Sequence, residues 1–366
     1  MTRERHNASM EPDALRSWFD HRVGTHEFSG VALVWTAGAP AFQYAGGIAH
    51  RGHQVPITGE TRFGVASVTK MVTATAALRL VDRGVLRLDR PVIEVLPAEH
   101  RTRALTPEHT LHHLLSHTSG LPNYHDDAAQ TWDSFVGALD RIPGSKALRP
   151  ADVLPLFADL PAERAVGEKF EYSDANFILV GLVIEAATGK SFYEVATEEV
   201  IRPAGMADSG FEQLDQDPPR YATGYLYAAD PPDTWRSNVF SLTGKGMPDG
   251  GMITTAPDLA RLIDALLDGR LLPPPLLAAM MTPQTPPSAD VEHYGYGLEL
   301  VVENGAVTIL GHGGSDPGVS TMVAHHVAAA TTFVVLCNQD RGSWAATCRL
   351  TKELGLRDPR DVGQTD

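Results

Sequence analysis

The sequence predicts a mixed α/β fold of the α+β type, in which both ends of the chain build one antiparallel sheet and a mostly helical lobe is inserted between them. Two observations support this prediction. Segments in the middle of the chain have the apolar periodicity of amphipathic helices and end at glycine or proline. Short apolar, β-branched runs bounded by turn residues lie near the two ends, at 30–36, 41–49, 297–303, 307–311, 319–326 and 332–338.

The remaining elements follow from the same patterns. A helix over 10–25 precedes two strands joined by Gly38-Ala39-Pro40, and a second helix runs from about Ser67 to residue 81 or 82, where Gly84 ends it. Loops are expected at 273–275 and 282–289. Further helices are predicted at 111–116, 151–160, 176–187, 192–200, 257–267 and 344–354.

These elements predict one domain over 10–357 with a cleft between two lobes. The α/β lobe covers about 10–85 and 250–357, and the helical lobe covers about 86–249. Ligand sites are commonly built in such clefts. We therefore look for functional residues where the two lobes meet.

Composition restricts the class of protein. The chain has 366 residues, 43% of them hydrophobic, which is enough for a large core, and its formal net charge is -15. The electrostatic field of this negative charge repels phosphate backbones and anionic membranes, so neither nucleic acid nor a membrane is expected as a partner. The first twenty residues lack the apolar run of a secretory signal, and Cys337 and Cys348 fit a reducing compartment. We expect a globular, cytoplasmic protein.

The first chemical motif is Ser67-Val68-Thr69-Lys70, at the start of the second helix. Serine and lysine three residues apart share one helical face. A serine hydroxyl is a poor nucleophile, and this lysine can accept its proton if burial or the positive end of the helix lowers the ammonium pKa. The spacing alone is equally typical of an ordinary serine at a helix start.

Two further motifs lie in the middle and near the end of the chain. In Tyr172-Ser173-Asp174, a tyrosine near a lysine can share its proton, although Ser173 or Asp174 can equally be a helix cap. In 311–315, Gly-His-Gly-Gly-Ser, glycines let a substrate backbone lie close and free N–H groups can hold an oxyanion. The alternative there is a tight glycine-rich turn between strands.

Together, the three motifs in this order resemble those of the serine β-lactamase and penicillin-binding-protein superfamily, in particular its class C-like branch, which also holds family VIII esterases and D-aminopeptidases. Family-like stretches also occur at 88–92, 114–121 and 250–259. The resemblance covers nearly the whole chain and implies a β-lactamase/transpeptidase-like fold. It also implies a serine hydrolase that forms an acyl-enzyme and needs no cofactor and no metal.

The resemblance assigns roles residue by residue. Ser67 is implied as the acylated nucleophile, Lys70 as its proton partner and Tyr172 as the base and acid relay. The backbone N–H groups of Ser67 and Ser315 are implied as the oxyanion hole. The implied substrate-binding residues are Asp174, His312, Gly313 and Gly314.

Two departures from the family pattern bear on the substrate. Asp174 stands where the family often has asparagine, and its carboxylate can pair with Lys70 and keep that lysine charged. His312 stands where the β-lactamase form of the motif has lysine, and histidine is mostly neutral at pH 7. We therefore expect small esters or amides, including D-amino-acid amides or short D-peptides, as substrates ahead of β-lactams.

Three alternatives remain at this point. The chain can be a β-lactamase or a DD-peptidase-like penicillin-binding protein, with Lys245 in place of the missing lysine. It can be a catalytically silent binding protein of the same fold, which the intact Ser67, Lys70 and Tyr172 disfavour. His113 and His117 lie one helical turn apart and can bind zinc, although no glutamate follows His113 as a zincin requires.

Overall fold

A seven-stranded antiparallel sheet forms the centre of the protein in the computed structural model, which describes residues 11–125, 133–228, 234–285 and 293–358. The strand order is β2-β1-β13-β12-β11-β10-β9, so strands from the two ends of the chain lie side by side. The predicted fold class is thereby confirmed. The strands are β1 Gly30–Thr36, β2 Ala39–Gly46, β3 Ile48–His50, β4 Val55–Pro56, β5 Phe63–Gly64, β6 Tyr225–Ala228, β7 Thr234–Ser237, β8 Ile253–Thr254, β9 His293–Tyr294, β10 Glu299–Glu303, β11 Ala306–Asp316, β12 Val319–His326 and β13 Thr331–Cys337.

The helices are distributed along the whole chain. Short 3-10 segments also occur, and the one at Ala66–Val68 leads directly into α2. The α-helices are α1 Pro12–Gly24, α2 Thr69–Asp82, α3 Leu111–Leu115, α4 Asp133–Leu139, α5 Pro150–Val153, α6 Asp174–Thr188, α7 Phe192–Ala196, α8 Arg202–Ala204, α9 Ala256–Leu267, α10 Pro274–Met280 and α11 Ser343–Glu353.

Both faces of the sheet are buried, which explains the uninterrupted apolar runs in β1 and β13. Ala32 and Val34 point to one face with Phe333 and Val335, where α1 and α11 cover them. The alternate residues of β1 and β13 face α9 and belong to the large core cluster that also contains α2 and α6. This period of two places the alternating side chains of β1 and β13 in two different cores.

Three local predictions are wrong. The first hairpin turns at Ala37 and Gly38, both with positive φ, and Pro40 already lies in β2. Residues 273–275 are not a loop, because Pro274 and Pro275 begin α10, where a missing N–H costs nothing. The stretch 311–315 is not a turn, since β11 continues to Asp316. Of the loop predicted at 282–289, residues 286–289 lie outside the described residues.

Among the described residues, no single helix is both long and apolar enough to cross a bilayer. A pair bent by 89°, made of 174–188 and 192–204, reaches that length and composition only when the two helices are taken together.

Candidate active site

One cavity of about 560 Å³ brings the predicted site residues together. Its wall is formed by the 3-10 turn 66–68, the N-terminal end of α6, the end of β11 and the loop that precedes β8. Lys70 lies directly behind this wall, with no exposed surface. The predicted residues that border the cavity are Ser67, Tyr172, Asp174, His312, Gly313, Gly314 and Ser315.

The turn that carries Ser67 is held in an unusual backbone conformation. Ala66 has φ 45°, a left-handed conformation that is unfavourable for a residue with a Cβ. The surrounding structure fixes it, since the Ala66 carbonyl accepts hydrogen bonds from Thr69 Oγ1 at 2.7 Å and from the Gly251 N–H at 3.2 Å. Thr321 Oγ1 donates to the Val65 carbonyl at 3.2 Å. Ser67 is therefore presented to the cavity by a preorganised turn.

Lys70 is placed by three acceptors. Its Nζ donates to Ser67 Oγ at 3.0 Å, to the Asp249 carbonyl oxygen at 2.7 Å and to Asp174 Oδ1. These acceptors use all three N–H bonds of an ammonium group. Burial alone would lower the pKa of Lys70, but the charges of Asp174 and Asp249 outweigh it and raise that pKa. The condition for proton transfer to Lys70, a lowered ammonium pKa, is therefore not met; Asp174 instead pairs with Lys70 and keeps it charged.

Two carboxyl groups flank this ammonium, and they ionise differently. Burial opposes ionisation of Asp174, yet Lys70 and then His125, whose Nε2 lies 2.8 Å from Asp174 Oδ2, hold the pKa of Asp174 well below its usual range. Burial and the charge of Asp174 instead raise the pKa of Asp249 to about 6. Tyr124 donates its hydroxyl to Asp249 Oδ2 at 2.6 Å. The ion pair of Lys70 is thus with Asp174.

Tyr172 precedes α6 and contacts both a cation and an imidazole ring. Lys70 Nζ is 4.8 Å from the centroid of the Tyr172 ring, and the ring of His117 packs against Tyr172 at 4.5 Å between centroids. His117 is fully buried, and its Nδ1 accepts a hydrogen bond from the Ser173 N–H at 3.2 Å. His117 therefore fixes the residues around Tyr172 from behind.

The third motif lies in strand β11, alongside the serine turn. A Cβ on Gly314 would lie 2.5 Å from the Val65 carbonyl oxygen and 3.2 Å from the Ser67 nitrogen, so glycine is required for this approach. The approach brings Ser315 to the same cavity as Ser67. Ser67 and Ser315, the two residues implied as the oxyanion hole, therefore border one cavity.

His312 is almost completely buried, with 1% exposed surface. Its Nε2 is 2.9 Å from the Tyr294 hydroxyl, and its Nδ1 donates to the Gly313 carbonyl oxygen at 2.5 Å. Burial lowers the pKa of His312, which outweighs the opposing effect of Glu299. The imidazole is neutral at pH 7, as the sequence predicts.

The geometry does not support two of the alternatives, Lys245 in place of the missing lysine and a zinc site at His113 and His117. Lys245 Nζ lies over the ring of Tyr193, 3.7 Å from its centroid, and does not border the cavity. Within the described ranges, no group of three or more histidine, cysteine or acidic side chains is arranged to hold a metal ion. His113 instead closes a turn by accepting a hydrogen bond from the Thr110 N–H at 3.2 Å.

Sequence reasoning missed several residues of this cavity. Tyr124, His125 and Asp249 surround the Lys70 and Asp174 pair, and Asp316 and Asp340 lie on the same cavity wall. A partial signal existed: Asp249 directly precedes the family-like stretch 250–259, and Tyr124 follows the stretch 114–121 by three residues. Asp316 directly follows the third motif.

Asp316 has the most perturbed of these carboxyl groups. Removal from bulk water, followed by the negative charges of Asp174 and Asp249, raises the pKa of Asp316 to about 8. Its side chain keeps partial exposure where it borders the cavity. Among the described residues, it has no ion-pair partner within 4 Å.

Comparison with known proteins gives a consistent result. The Beta-lactamase family model matches residues 15–354. Esterase EstB of Burkholderia gladioli is 33% identical over 311 residues, which are 78% of this chain and 77% of that protein. Penicillin-binding protein 4* of Bacillus subtilis is 25% identical over 337 residues, 89% of this chain and 71% of that protein. The crystal structure of a penicillin binding protein from Bacillus halodurans is similar with a TM-score of 0.83 and 33% identity, and the match covers 91% of this chain and 99% of that one.

The shifted Asp316 carboxyl predicts a pH-dependent effect on stability. We expect Asp316→Asn to raise the free energy of unfolding relative to wild type. The difference between the two proteins should be zero below about pH 4, increase as the pH rises to about 8 and stay constant above that pH. The unfolded carboxyl loses its proton near pH 4, whereas the folded one keeps it to a higher pH, so ionisation favours the unfolded state. Thermal unfolding of both proteins from pH 4 to 9 measures this. A difference in Tm that does not change with pH would contradict it.

Proposed function

Because the chain belongs to the Beta-lactamase family of serine hydrolases, we propose that it hydrolyses small esters or amides through an acyl-enzyme formed on Ser67. The observation that carries the proposal is the hydrogen bond of 3.0 Å from the buried Lys70 ammonium to Ser67 Oγ, which borders a cavity large enough for a small substrate. Similarity to esterase EstB supports an ester as the substrate.

Formation of the acyl-enzyme starts with attack of Ser67 Oγ on the substrate carbonyl carbon. All three N–H bonds of Lys70 are donated, so Lys70 acts here as a donor that stabilises negative charge on Ser67 Oγ. Tyr172 borders the same cavity; in its phenolate form, beside the Lys70 ammonium, it receives the serine proton and then returns it to the leaving group. The carbonyl oxygen, as it becomes negative, is held by the N–H groups of Ser67 and Ser315.

Release of the product reverses these roles. A water molecule takes the place of the leaving group, loses its proton to Tyr172 and attacks the acyl carbon, after which the proton returns to Ser67. Asp174 keeps the Lys70 ammonium in position throughout, since it is the carboxylate partner of Lys70. No metal or cofactor takes part in this sequence of steps.

The charge of the cavity favours some substrates over others. His312, in the position where a β-lactamase has lysine, is neutral and uses both ring nitrogens in hydrogen bonds. A β-lactam carboxylate therefore lacks a cationic partner there, and we place small esters and amides, including D-amino-acid amides and short D-peptides, ahead of β-lactams. Hydrolysis of β-lactams is the second candidate, favoured by the similarity to a penicillin binding protein.

We expect Ser67→Ala to abolish hydrolysis and to leave the fold intact, because loss of a hydroxyl at a helix start costs at most about 2 kcal/mol. A fluorophosphonate probe followed by intact-mass measurement should give one adduct on the wild type and none on the variant, and circular dichroism checks the fold. Residual activity above about one tenth of wild type would remove Ser67 from the mechanism. An unlabelled wild type would favour a silent binding protein.

Tyr172→Phe should slow acylation by roughly 10²- to 10⁴-fold, the usual contribution of acid–base assistance. Tyr296→Phe is the matched control, because the Tyr296 hydroxyl bonds His112 Nδ1 at 2.8 Å and does not border the cavity. Single-turnover measurement with a chromogenic ester gives both rates. Equal acylation rates in the two variants would exclude Tyr172 as the proton relay.

Activity should rise with pH as the coupled Lys70 and Tyr172 pair loses a proton, and Asp174→Asn should move this rise to lower pH. The sign follows from charge: loss of a proton makes the Lys70 and Tyr172 pair less positive, and the nearby Asp174 carboxylate, which helps to raise the pKa of Lys70, opposes that loss, so its removal lowers the apparent pKa of the pair. Profiles of kcat/KM against pH for both proteins measure the shift. A rise that stays in place or moves to higher pH would contradict this account.

A further inference from the structure

The cavity is lined by an excess of acidic side chains over basic ones. Among the residues that the structure describes, no lysine or arginine borders it, and the Lys70 ammonium behind it is already paired with Asp174. The acidic residues that border it are Asp174, Asp249, Glu299, Asp316 and Asp340.

Two of these carboxyl groups have unused acceptor capacity. Asp249 is 6% exposed, and its Oδ1 is buried without a hydrogen-bond partner in the described structure. Asp316 has no ion-pair partner within 4 Å in the same ranges. Burying a carboxylate without a partner is unfavourable, because the charge loses its hydration and gains nothing in return. A bound cation would supply what both groups lack.

Asp316 is the one of the two that a substrate can reach. It directly follows Ser315 in β11, and its side chain is partly exposed into the cavity, whereas the unpaired Asp249 oxygen is fully covered. A group bound at Asp316 therefore lies one residue along the strand from the N–H proposed to hold the substrate carbonyl. This position suits a group attached to the reacting ester or amide.

The lining of the cavity also contains apolar side chains. Such side chains favour a hydrocarbon arm over a second polar group. They are Leu139, Val153, Leu214, Leu242 and Met247. A substrate that combines an apolar arm with a positive charge fits both kinds of lining.

We propose that Asp316 is a specificity-determining residue that binds a protonated amine of the substrate, so that the enzyme prefers esters or amides with an ammonium group on an apolar arm. The proposal rests on the proposed function of Ser67 and names its substrate class. An ammonium bound here donates to the Asp316 carboxylate and offsets the charge that Asp174 and Asp249 impose on it.

The test compares a cationic substrate with a neutral one of the same shape. On the acyl side the pair is 4-nitrophenyl 6-aminohexanoate and 4-nitrophenyl heptanoate, and on the leaving-group side it is 4-(aminomethyl)phenyl acetate and 4-ethylphenyl acetate. The readout is the ratio of kcat/KM within each pair. In Asp316→Asn this ratio should fall by about tenfold or more for at least one pair, as expected when one partner of an enclosed charged hydrogen bond is lost.

Asp215→Asn is the matched control. It removes the same charge from an exposed site beside Leu214, which borders the cavity, so it changes the long-range field without changing the cavity wall. Its ratio should stay within about twofold of wild type, as for other screened surface charges. A ratio that is unchanged in Asp316→Asn for both pairs, or that falls equally in Asp215→Asn, would overturn the proposal.

A binding measurement that needs no turnover provides a second readout. Hexylammonium chloride should bind the wild type near pH 7 with release of a proton from Asp316, which calorimetry in two buffers of different ionisation enthalpy detects. Hexanol should release none. The other charged or titratable groups that act on or respond to Asp316 are Asp174, Asp249, Lys70, His125, Tyr124 and Tyr221. In Asp316→Asn the proton release should disappear.

These readouts separate the two proposals. A fluorophosphonate adduct on Ser67 with no role of Asp316 in the substrate ratio would refute the specificity proposal alone. Asp316-dependent binding of hexylammonium without any adduct would refute the proposed hydrolase function and leave an ammonium site. If Asp316→Asn does not fold, the wild type decides: binding of hexylammonium without proton release would overturn the assignment.

Discussion

The buried ammonium of Lys70 is the interaction on which the site depends. A charge without exposed surface is tolerated in a protein only if it is paired and its hydrogen bonds are satisfied. Here the partners come from three distant parts of the chain: Ser67 in the preceding turn, Asp174 at the start of α6 and the Asp249 carbonyl in the loop before β8. These three segments must meet at one point, and the cavity is the space they leave beside it.

This pairing also sets the charges of the surrounding groups. The single ammonium can neutralise one carboxylate, and Asp174 holds that position with a second contact to His125. Burial, and then the negative charge of Asp174, raises the pKa of both Asp249 and Asp316. The substitution of aspartate for the asparagine common in this family therefore affects groups well beyond Lys70.

The turn that presents Ser67 shows a second constraint. The left-handed Ala66 is costly by about 1–3 kcal/mol, and it persists because Thr69, Gly251 and Thr321 hold the carbonyls on either side of it. The close approach of Gly314 to the same turn fixes the distance between the serine and β11. Stability is given up at one residue so that Ser67 and β11, the proposed nucleophile and the strand of the proposed oxyanion donor, have a fixed relation.

The sequence predicted the elements whose patterns are local. Strands 30–36 and 319–326 coincide with β1 and β12 because β-branched runs end at clear turn residues, and the helix predicted up to residue 82 ends there because Gly84 adopts positive φ. The end of β11 was not predicted, since its glycines carry no side-chain periodicity. Asp249 and Asp316 adjoin the stretch 250–259 and the third motif in the sequence, but the buried, charged surroundings that shift their pKa values arise from tertiary contacts, which no spacing along the chain encodes. The division into two lobes stays a prediction.

The position of β1 has a consequence for the synthesis of the protein. β1 lies between β2 and β13, with Gly30 paired to Cys337 across 307 positions of the sequence. Because the ribosome releases the N-terminal part first, the edge of β1 that pairs with β13 remains unpaired until almost the entire chain has emerged. The strand that carries Ser315 also appears late. A chain whose synthesis stops early therefore has an open sheet edge that favours aggregation, and it is not a partly active enzyme. Hydrolytic activity appears only when the sheet is complete.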